Sequence, residues 1–391
     1  MSPRHRVAGI AALAGLVGLS APVLGVSSKT NAPDQTGPLI VAVESPQTGV
    51  QASNGLDMLR GVRLAAKQAN AHGGLLGRPV QIYAADDKGD SAGARRLARR
   101  VLAKGIGFVI GPYNSSVGIE NLPLYRRHAV LPVWMTSSDE TKGVGATVQP
   151  MNSQIAPIES RYAASVGAKR VTMLVDDTSN GAFTVGMANR LTRELRRSGA
   201  TVSRISIKEI AAPDGSRAVP QDYFADKVAE ALATSPDLIY VSSYFPEGVE
   251  IAAALAAAGD SPRCLMGLAN VDNGFLAKAT LGQSQRCAFS GVVAAGQMPS
   301  ARGYVRQYRR AFNKRPGVWG SFTFDSARIL FAAIERAGSD RFGPVARALR
   351  ATEGFRGATG PISINRTNGY RTTVPVNILT VNADKKFEIA G

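Results

Sequence analysis

Two pairs of serines stand where a binding site for an anion is expected. Ser115 and Ser116 follow one apolar segment that we predict to be a strand, and Ser137 and Ser138 follow the next such segment. In a parallel sheet, ligands bind beyond the carboxyl ends of the strands. Serine hydroxyls and backbone N–H groups at a helix start suit a carboxylate, because the helix dipole favours negative charge there. The alternative for each serine is a structural role as a helix N-cap.

Aromatic side chains accompany these serines and are candidates for an apolar wall. Tyr113 lies just before the first serine pair, and Trp134 lies just before the second. Asn180 and Phe183 follow a later predicted strand, at a place where ligand contacts are also expected. The alternative for an aromatic residue at such a position is packing in the core.

The chain lacks residue patterns on which common enzymes depend. We find no G-x-G-x-x-G after the first predicted strand and no G-x-x-x-x-G-K-[ST] loop. The three histidines, His5, His72 and His128, are far apart in the sequence, which argues against a catalytic triad or a metal centre. We therefore predict a binding protein without cofactor or metal, and not an enzyme.

The charge balance is strongly basic, with 46 Lys and Arg against 29 Asp and Glu and a formal net charge of +17. Nucleic-acid binding is one explanation of such a charge. However, the clustered arginines fall opposite an apolar helix face, and no aromatic residues interleave with them. These arginines are Arg95, Arg96, Arg99 and Arg100. We therefore predict no nucleic-acid partner and expect attraction of anions or of an anionic membrane surface instead.

Residues 1–25 have the layout of a secretory signal peptide. Arg4–Arg6 form a basic start, and Val7–Leu19 carries no charge before small residues lead to a cleavage position after Gly25. Residues 26–37 form a polar linker. The alternative is an uncleaved membrane anchor. Because no cysteine ends the apolar run, we expect export to the periplasm or the cell-envelope exterior without a lipid anchor on cysteine.

The chain contains two cysteines, Cys264 and Cys287. In an exported protein, a pair at this spacing is a candidate disulfide. Closing the loop between them would stabilise the fold by about 3 kcal/mol in the chain-entropy model. The alternative is two buried free thiols in neighbouring strands.

Strand and helix patterns alternate through most of the chain. One series covers residues 39–135, and a second series over residues 170–241 repeats the βαβαβ order. A shift of 130 residues relates Val41 to Val171, and the same shift applies at Phe108. The fold class predicted from this repeat is α/β, with two doubly wound parallel-sheet lobes. In the tail, β-hairpin segments are predicted at Gly360–Ile364, Thr372–Val381 and Lys386–Ile389.

Six segments, in this order, resemble type I periplasmic solute-binding proteins of the leucine/isoleucine/valine-binding kind. Each segment alone is a weak signal, but their common order is specific. The resemblance extends over about Leu39–Ile389. The segments are NAHGGLLGR at 70–78, AADD at 84–87, FVIGPYNSS at 108–116, LPVWMTSS at 131–138, LIYVSSYFPE at 238–247 and GATGPISI at 357–364.

This resemblance implies two lobes that close on a small ligand and are joined by three chain crossings, near 150–160, 288–298 and 350–360. The implied function is that of an extracytoplasmic receptor of an ABC importer, a monomer that delivers its ligand to the membrane subunits of a permease. The alternative is a sensor of the same fold that feeds a signalling partner. The expected lobes are residues 38–155 with 296–352, and residues 156–295 with 353–391.

The resemblance also assigns roles to individual residues. Ser115, Ser137 and, less directly, Ser138 match positions that hold the ligand carboxylate in the family. Tyr244 matches a tyrosine that contacts the ligand.

One position departs from the family pattern. Amino-acid-binding members carry an acidic residue that pairs with the ligand ammonium, and the matching residue here is Ala269. Asp272, three residues on, is expected either to reach the ligand or to cap the following helix. A buried ammonium without a partner is costly. The ligand is therefore open to other classes: an amide, a keto acid or an aromatic acid.

Overall fold

The computed structural model describes residues 37–178, 181–210, 217–260 and 262–390. The predictions for the signal peptide and for residues 26–36 of the linker lie outside these residues. Among the described residues, the strands are β1 (Leu39–Ser45), β2 (Val80–Asp86), β3 (Phe108–Ile110), β4 (Leu131–Val133), β5 (Arg170–Asp176), β6 (Thr201–Ile207), β7 (Leu238–Ser242), β8 (Arg263–Met266), β9 (Ala288–Gly291), β10 (Phe355–Gly357), β11 (Gly360–Ile362), β12 (Asn377–Val381) and β13 (Phe387–Ile389). The α-helices are α1 (Ala52–Ala71), α2 (Ser91–Ala103), α3 (Ser115–Arg127), α4 (Asn152–Ser165), α5 (Ala182–Arg197), α6 (Tyr223–Ala233), α7 (Phe245–Ala257), α8 (Asn273–Lys278), α9 (Leu281–Gln285), α10 (Arg302–Phe312), α11 (Trp319–Ala337) and α12 (Phe342–Arg350).

Lobe one is built on a four-stranded parallel sheet in the order β2-β1-β3-β4. Successive side chains of β1 point to opposite faces of this sheet. Val41 and Val43 join the core that includes α1 and α11, whereas Ala42 packs with apolar residues of α2 and α3. The sheet is therefore covered by helices on both sides, which explains its continuous apolar strands.

The segment that ends α1 fixes this helix against the sheet. The Asn70 side chain accepts a hydrogen bond from the Val80 backbone N–H at 2.7 Å and donates one to the Val80 carbonyl at 2.9 Å. Between them the chain turns sharply, and Gly74 has a φ of +81°, which favours glycine. The first of the six family-like segments is thus a helix-to-strand connection that positions β2.

Asp57, near the start of α1, does not cap its own helix. The helix already begins at Ala52, and Asp57 has another role. Its carboxylate accepts hydrogen bonds from the backbone N–H groups of Gly317 at 3.1 Å and Gly320 at 2.6 Å. Asp57 therefore caps α11, a helix that follows it by about 260 residues.

Lobe two is built on a seven-stranded sheet in the order β13-β12-β9-β8-β7-β5-β6. Strands β5 to β9 pair in parallel, whereas β12 and β13 add an antiparallel edge. Val41 pairs with Phe108 in lobe one, and Val171 pairs with Leu238 in lobe two. This common register confirms the α/β fold and the repeat that the 130-residue shift predicts.

The chain passes between the two lobes more than once. After β9 in lobe two, α10, α11 and α12 return to pack on or beside α1 in lobe one. The β10–β11 hairpin follows, and β12 then pairs with β9. This path agrees with three crossings, while the residue limits predicted for the lobes stay predictions.

Candidate ligand-binding cleft

A small cavity lies between the carboxyl ends of the two sheets. Its volume is about 20 Å³, far below the range of about 300–1,000 Å³ typical of small-molecule sites. Residues from both lobes line it, and none of them carries a charge. The lining consists of Tyr113, Ser115, Met135, Ser137, Gln149, Phe183, Tyr244, Leu268, Ala269 and Trp319.

The lobe-one side of the cavity carries hydroxyl and amide groups. The Ser115 hydroxyl oxygen accepts the Ser138 backbone N–H at 3.2 Å, and the Ser137 hydroxyl oxygen accepts the Gln149 amide at 3.2 Å. A hydroxyl that accepts in this way still has its own proton to donate. Ser115 and Ser137 can therefore both donate to an anionic group in the cavity.

The acceptor of Gln149 has no protein partner. Its Oε1 atom is buried, and within the described residues no donor reaches it. A buried polar atom without a partner is costly, so such an atom beside a cavity points to a ligand group or water. A neutral N–H or O–H of a ligand would satisfy it.

The remaining two serines have mainly structural surroundings. Ser138 caps a short 3-10 helix, since its hydroxyl accepts the Glu140 backbone N–H at 3.4 Å. Ser116 is the second residue of α3 and is buried, but neither serine lines the cavity. Ser138 supports the site indirectly through its bond to Ser115.

Aromatic rings form the other walls of the cavity. Tyr113 and Trp319 have ring centroids 5.9 Å apart, and Phe183 and Tyr244 have ring centroids 6.0 Å apart. Burial raises the pKa of both tyrosines; Asp176 adds to the increase at Tyr244, while Asn114 partly offsets it. Both phenols are therefore protonated at neutral pH and can donate hydrogen bonds.

Trp134 does not reach the cavity. Its indole lies in the core on the other face of the lobe-one sheet, with its ring centroid 6.4 Å from that of Tyr370. Successive residues of an extended chain point in opposite directions, so the neighbouring Met135 lines the cavity instead. The prediction that Trp134 forms an apolar wall of the site is thus wrong by one residue, because Met135 occupies that place.

Asp272 also lies outside the lining. It is the N-cap of α8, and its Oδ1 atom accepts the Gly274 backbone N–H at 2.5 Å. Burial raises its pKa, and Asn54 of lobe one partly offsets that increase. Of the two roles expected for Asp272, its contacts therefore agree with the helix cap. Asn180, which was also predicted to contact the ligand, lies outside the described residues.

Four lining residues were not predicted from the sequence; they are Met135, Gln149, Leu268 and Trp319. Met135 and Gln149 follow β4, and Trp319 opens α11, some 200 residues after the first serines. Hydrogen bonds from Gly317 and Gly320 to Asp57 hold the turn that presents Trp319. No local motif connects these segments, because the fold alone brings them together.

The lobes also touch at the rim of the cleft. Arg190 of α5 forms an ion pair with Asp139 of lobe one at 2.9 Å. Ser153, at the start of α4, donates a hydrogen bond to the same carboxylate at 2.6 Å. These contacts hold the two edges close together around the cavity.

One further stretch, Gly89–Gly93, matches the letters of a G-x-S-x-G nucleophile elbow and lies between β2 and α2. Here Asp90 caps α2 by accepting the Ala92 and Gly93 backbone N–H groups. Within the described residues, Ser91 has no hydrogen bond to a histidine, and no cluster of three or more His, Cys, Asp or Glu could hold a metal ion. The match therefore reflects a capped helix start.

Cys264 and Cys287 are joined by a disulfide, with Cα atoms 4.6 Å apart. The bond connects the beginning of β8 to the residue before β9. It therefore lies at the amino ends of these strands, opposite the cleft. In the described part of the chain, no helix has the length and apolar character needed to cross a membrane.

Known proteins share this architecture. A family model described as periplasmic binding protein matches residues 38–386. A Leu/Ile/Val-binding protein homolog from Brucella abortus is 23% identical over 342 residues, which cover 84% of this chain and 86% of that protein. A leucine-binding protein from Thermotoga maritima superimposes with a TM-score of 0.80 at 22% identity, over 90% of this chain and 98% of that one.

A solute-binding protein of an ABC transporter from R. palustris, solved in complex with benzoate, has a TM-score of 0.76 at 17% identity and covers 91% of this chain and 96% of that one. Likenesses at these identities indicate a common fold. The family model, by contrast, covers nearly every described residue. The chain therefore belongs to the periplasmic binding protein family of ABC-transporter substrate-binding proteins, which are solute-binding receptors and not enzymes.

Proposed function

We propose that this protein is an exported receptor that captures a small carboxylic acid with an apolar or aromatic body and delivers it to the membrane subunits of an ABC permease. The proposed ligand has no ammonium group. One observation carries this proposal: the cavity contains hydrogen-bond donors and aromatic rings but no charged side chain.

Helix starts supply the positive potential that such a ligand needs. Four helices of 11 or more residues begin at or within two residues of a cavity-lining side chain, namely Ser115 for α3, Phe183 for α5, Tyr244 for α7 and Trp319 for α11. Each helix start carries a partial positive charge of roughly half an elementary charge. Together with the hydroxyls of Ser115 and Ser137, the starts of α3 and α11 favour an anion on the lobe-one side of the cavity.

The same surroundings disfavour an amino acid. Ala269 stands where relatives that bind amino acids have an acid, and the neighbouring Asp272 is engaged at the start of α8. An ammonium in this cavity would be desolvated without a counter-charge, which costs several kcal/mol. A benzoate-bound neighbour of the same fold illustrates the kind of ligand that we expect.

Gln149 refines the ligand class. Its unsatisfied Oε1 atom can accept a hydrogen bond from a ligand donor, and a hydroxyl or an amide N–H supplies one without adding a charge. Hydroxy acids, hydroxybenzoates and carboxylic acids that also carry an amide N–H are therefore the leading members of the class.

A thermal-shift screen of the exported protein tests the proposal. The panel contains benzoates, aliphatic hydroxy and keto acids, amides and the amino acids. A ligand present at about 100 times its dissociation constant should raise stability by roughly 2.7 kcal/mol. We expect the largest shifts from carboxylic acids without an ammonium. A panel in which only amino acids stabilise the protein would refute the proposed ligand class.

A further inference from the structure

The basic charge of the chain is concentrated in one lobe. Residues 38–155 and 296–352 contain 24 Lys and Arg against 11 Asp and Glu, a net charge of +13. Residues 156–295 and 353–391 contain 19 against 17, a net charge of +2. Lobe one thus carries +13 of the formal charge of +17.

Two neighbouring helices of lobe one gather much of this charge on one surface. Helices α1 and α10 lie side by side, joined by a 2.5 Å hydrogen bond from Gln68 to Gln307. Tyr304 and Tyr308 bury the inner side of α10, so its arginines point outward. We call this surface the basic face; its residues are all exposed. They are Arg63, Lys67, Arg302, Arg306, Arg309, Arg310, Lys314 and Arg315.

No acidic side chain interrupts the basic face. Helix α10 contains no Asp or Glu, and the acidic residue of α1, Asp57, is buried and bonded to α11. Within the described residues, none of the eight cations forms an ion pair. The positive potential of this surface is therefore not neutralised by the protein itself.

The absence of apolar anchors indicates which kind of partner fits. Specific protein interfaces usually have aromatic or aliphatic anchors at their centre. In the described part of the chain, the exposed large apolar residues are Val50, Leu281 and Ile389, none of which belongs to α1 or α10. Exposed rings for stacking on nucleic-acid bases are also missing from this face. A diffuse negative surface needs neither feature.

We propose that the basic face of lobe one docks this receptor on a membrane surface that contains anionic phospholipids. Each Lys or Arg close to such a surface adds to the attraction. Because the face has no apolar residues to insert, the binding is peripheral, reversible and sensitive to salt. The nearly neutral lobe two points away from the membrane. This inference is independent of which solute occupies the cleft.

Vesicle co-sedimentation of the exported protein, in the processed form that the cell releases, tests the proposal. We expect binding to phosphatidylcholine vesicles with about 30% phosphatidylglycerol, no binding to phosphatidylcholine alone, and release when salt rises from about 0.05 M to about 0.5 M. The variant R302Q/R306Q/R309Q/R310Q should bind the anionic vesicles at least about tenfold more weakly.

A matched control separates the basic face from net charge. The variant R95Q/R96Q/R99Q/R100Q removes the same number of charges from α2, which packs on the other face of the lobe-one sheet. It should lose less than about twofold in vesicle binding. Circular dichroism melting checks that both variants are folded, and R306Q/R310Q, with about a threefold loss expected, replaces the fourfold variant if that one unfolds early.

Three results would overturn the proposal. They are an equal loss of binding in the α10 and α2 variants, unchanged binding of the α10 variants, and no preference of the wild-type protein for anionic vesicles. In the last case, salt-sensitive binding to purified permease would identify an acidic protein as the partner of this surface instead.

Discussion

Helices α3 and α7 begin at equivalent points of the two lobes, yet they present opposite chemistry to the cleft. Both have 13 residues, and Ser115–Arg127 and Phe245–Ala257 are separated by the same 130 residues that relate the strands. The N-cap is Asn114 in lobe one and Tyr244 in lobe two. One helix start thus offers serine hydroxyls, and the other offers aromatic rings.

This contrast shows how a repeated scaffold makes an asymmetric site. The strand register is shared, but the residues at the strand ends have diverged. Lobe one contributes Ser115, Ser137 and Gln149 to the cavity beside the aromatic pair Tyr113 and Trp319, whereas lobe two contributes only aromatic and aliphatic side chains. A ligand with a polar end and an apolar end matches both surfaces only when the lobes are closed, which couples binding to closure.

The largest effect is expected when a charge is added to the apolar side. Ala269→Asp adds a carboxylate to the cavity that we propose for the ligand carboxylate, and two such charges about 4 Å apart repel by about 4 kcal/mol at an intermediate dielectric. Affinity for the best carboxylic acid, measured by calorimetry, should fall about 1,000-fold. The uncharged control Ala269→Ser should lose less than about tenfold. Equal losses in both variants would contradict the electrostatic explanation.

Tyr244→Ala should have the next largest effect, because it removes the aromatic wall of lobe two and its contact with Phe183. Central aromatic residues of a binding site typically contribute 2 kcal/mol or more, so we expect about a 100-fold loss of affinity. Tyr244→Phe keeps the ring and should lose about tenfold or less. If the alanine variant binds like the wild type, Tyr244 does not contact the ligand.

Ser115→Ala tests the polar side with a smaller expected effect. Loss of one hydrogen bond to a charged ligand group costs about 1.5–3 kcal/mol, which predicts at least about a tenfold weaker affinity. Ser138→Ala is the matched control, since the Ser138 hydroxyl bonds Glu140 and only its backbone supports Ser115. The control should stay within about threefold of the wild type. The reverse ranking would exchange the roles of these two serines.

The disulfide in lobe two affects stability rather than binding. Without prior reduction, a thiol reagent should label neither Cys264 nor Cys287. The variant C264S/C287S should melt several °C lower, because a bond that closes a loop of this length is worth about 3 kcal/mol. Its ligand affinity should change less than about twofold, since the bond lies at the amino ends of β8 and β9, away from the cleft. Labelling of two thiols in the native protein would contradict the pairing.

Each lobe also buries a glutamate with few ionised neighbours, and the smallest predicted effect concerns them. Burial raises the pKa of Glu44 and that of Glu159 from 4.5 to about 7, although hydrogen bonds from neighbouring side chains oppose the increase. A raised carboxyl pKa gives stability that is complete below the unfolded value and is lost as pH rises through the folded value. The melting temperature should therefore fall by a few °C between about pH 4.5 and about pH 7.5.

Glu159→Gln provides the control for this dependence. The amide keeps the shape and has no proton to lose, so the fall in melting temperature over the same pH range should be smaller than in the wild type. A melting temperature that rises with pH in both proteins would show that other groups dominate.

The sequence predicts more of the fold than of the site. The shift of 130 residues related Val41 to Val171 and Phe108 to Leu238 correctly, because apolar strands follow from local pattern and the two pairs share one register. The serines at strand ends were found for the same reason. Trp134 was assigned to the wrong face, since one residue of phase decides the direction of a side chain. Trp319 was missed because tertiary packing, and no local pattern, brings α11 to the cleft.

We propose above all that the cleft holds a carboxylate and offers an ammonium no negatively charged side chain. Calorimetry with matched ligand pairs tests it most directly: 3-phenyllactate against phenylalanine, and 2-hydroxy-4-methylpentanoate against leucine. Each pair differs only in a hydroxyl or an ammonium beside the carboxylate. In the pair that binds more tightly, we expect the protein to bind the hydroxy acid at least about tenfold more tightly than the amino acid. Tighter binding of the amino acid in both pairs would contradict it.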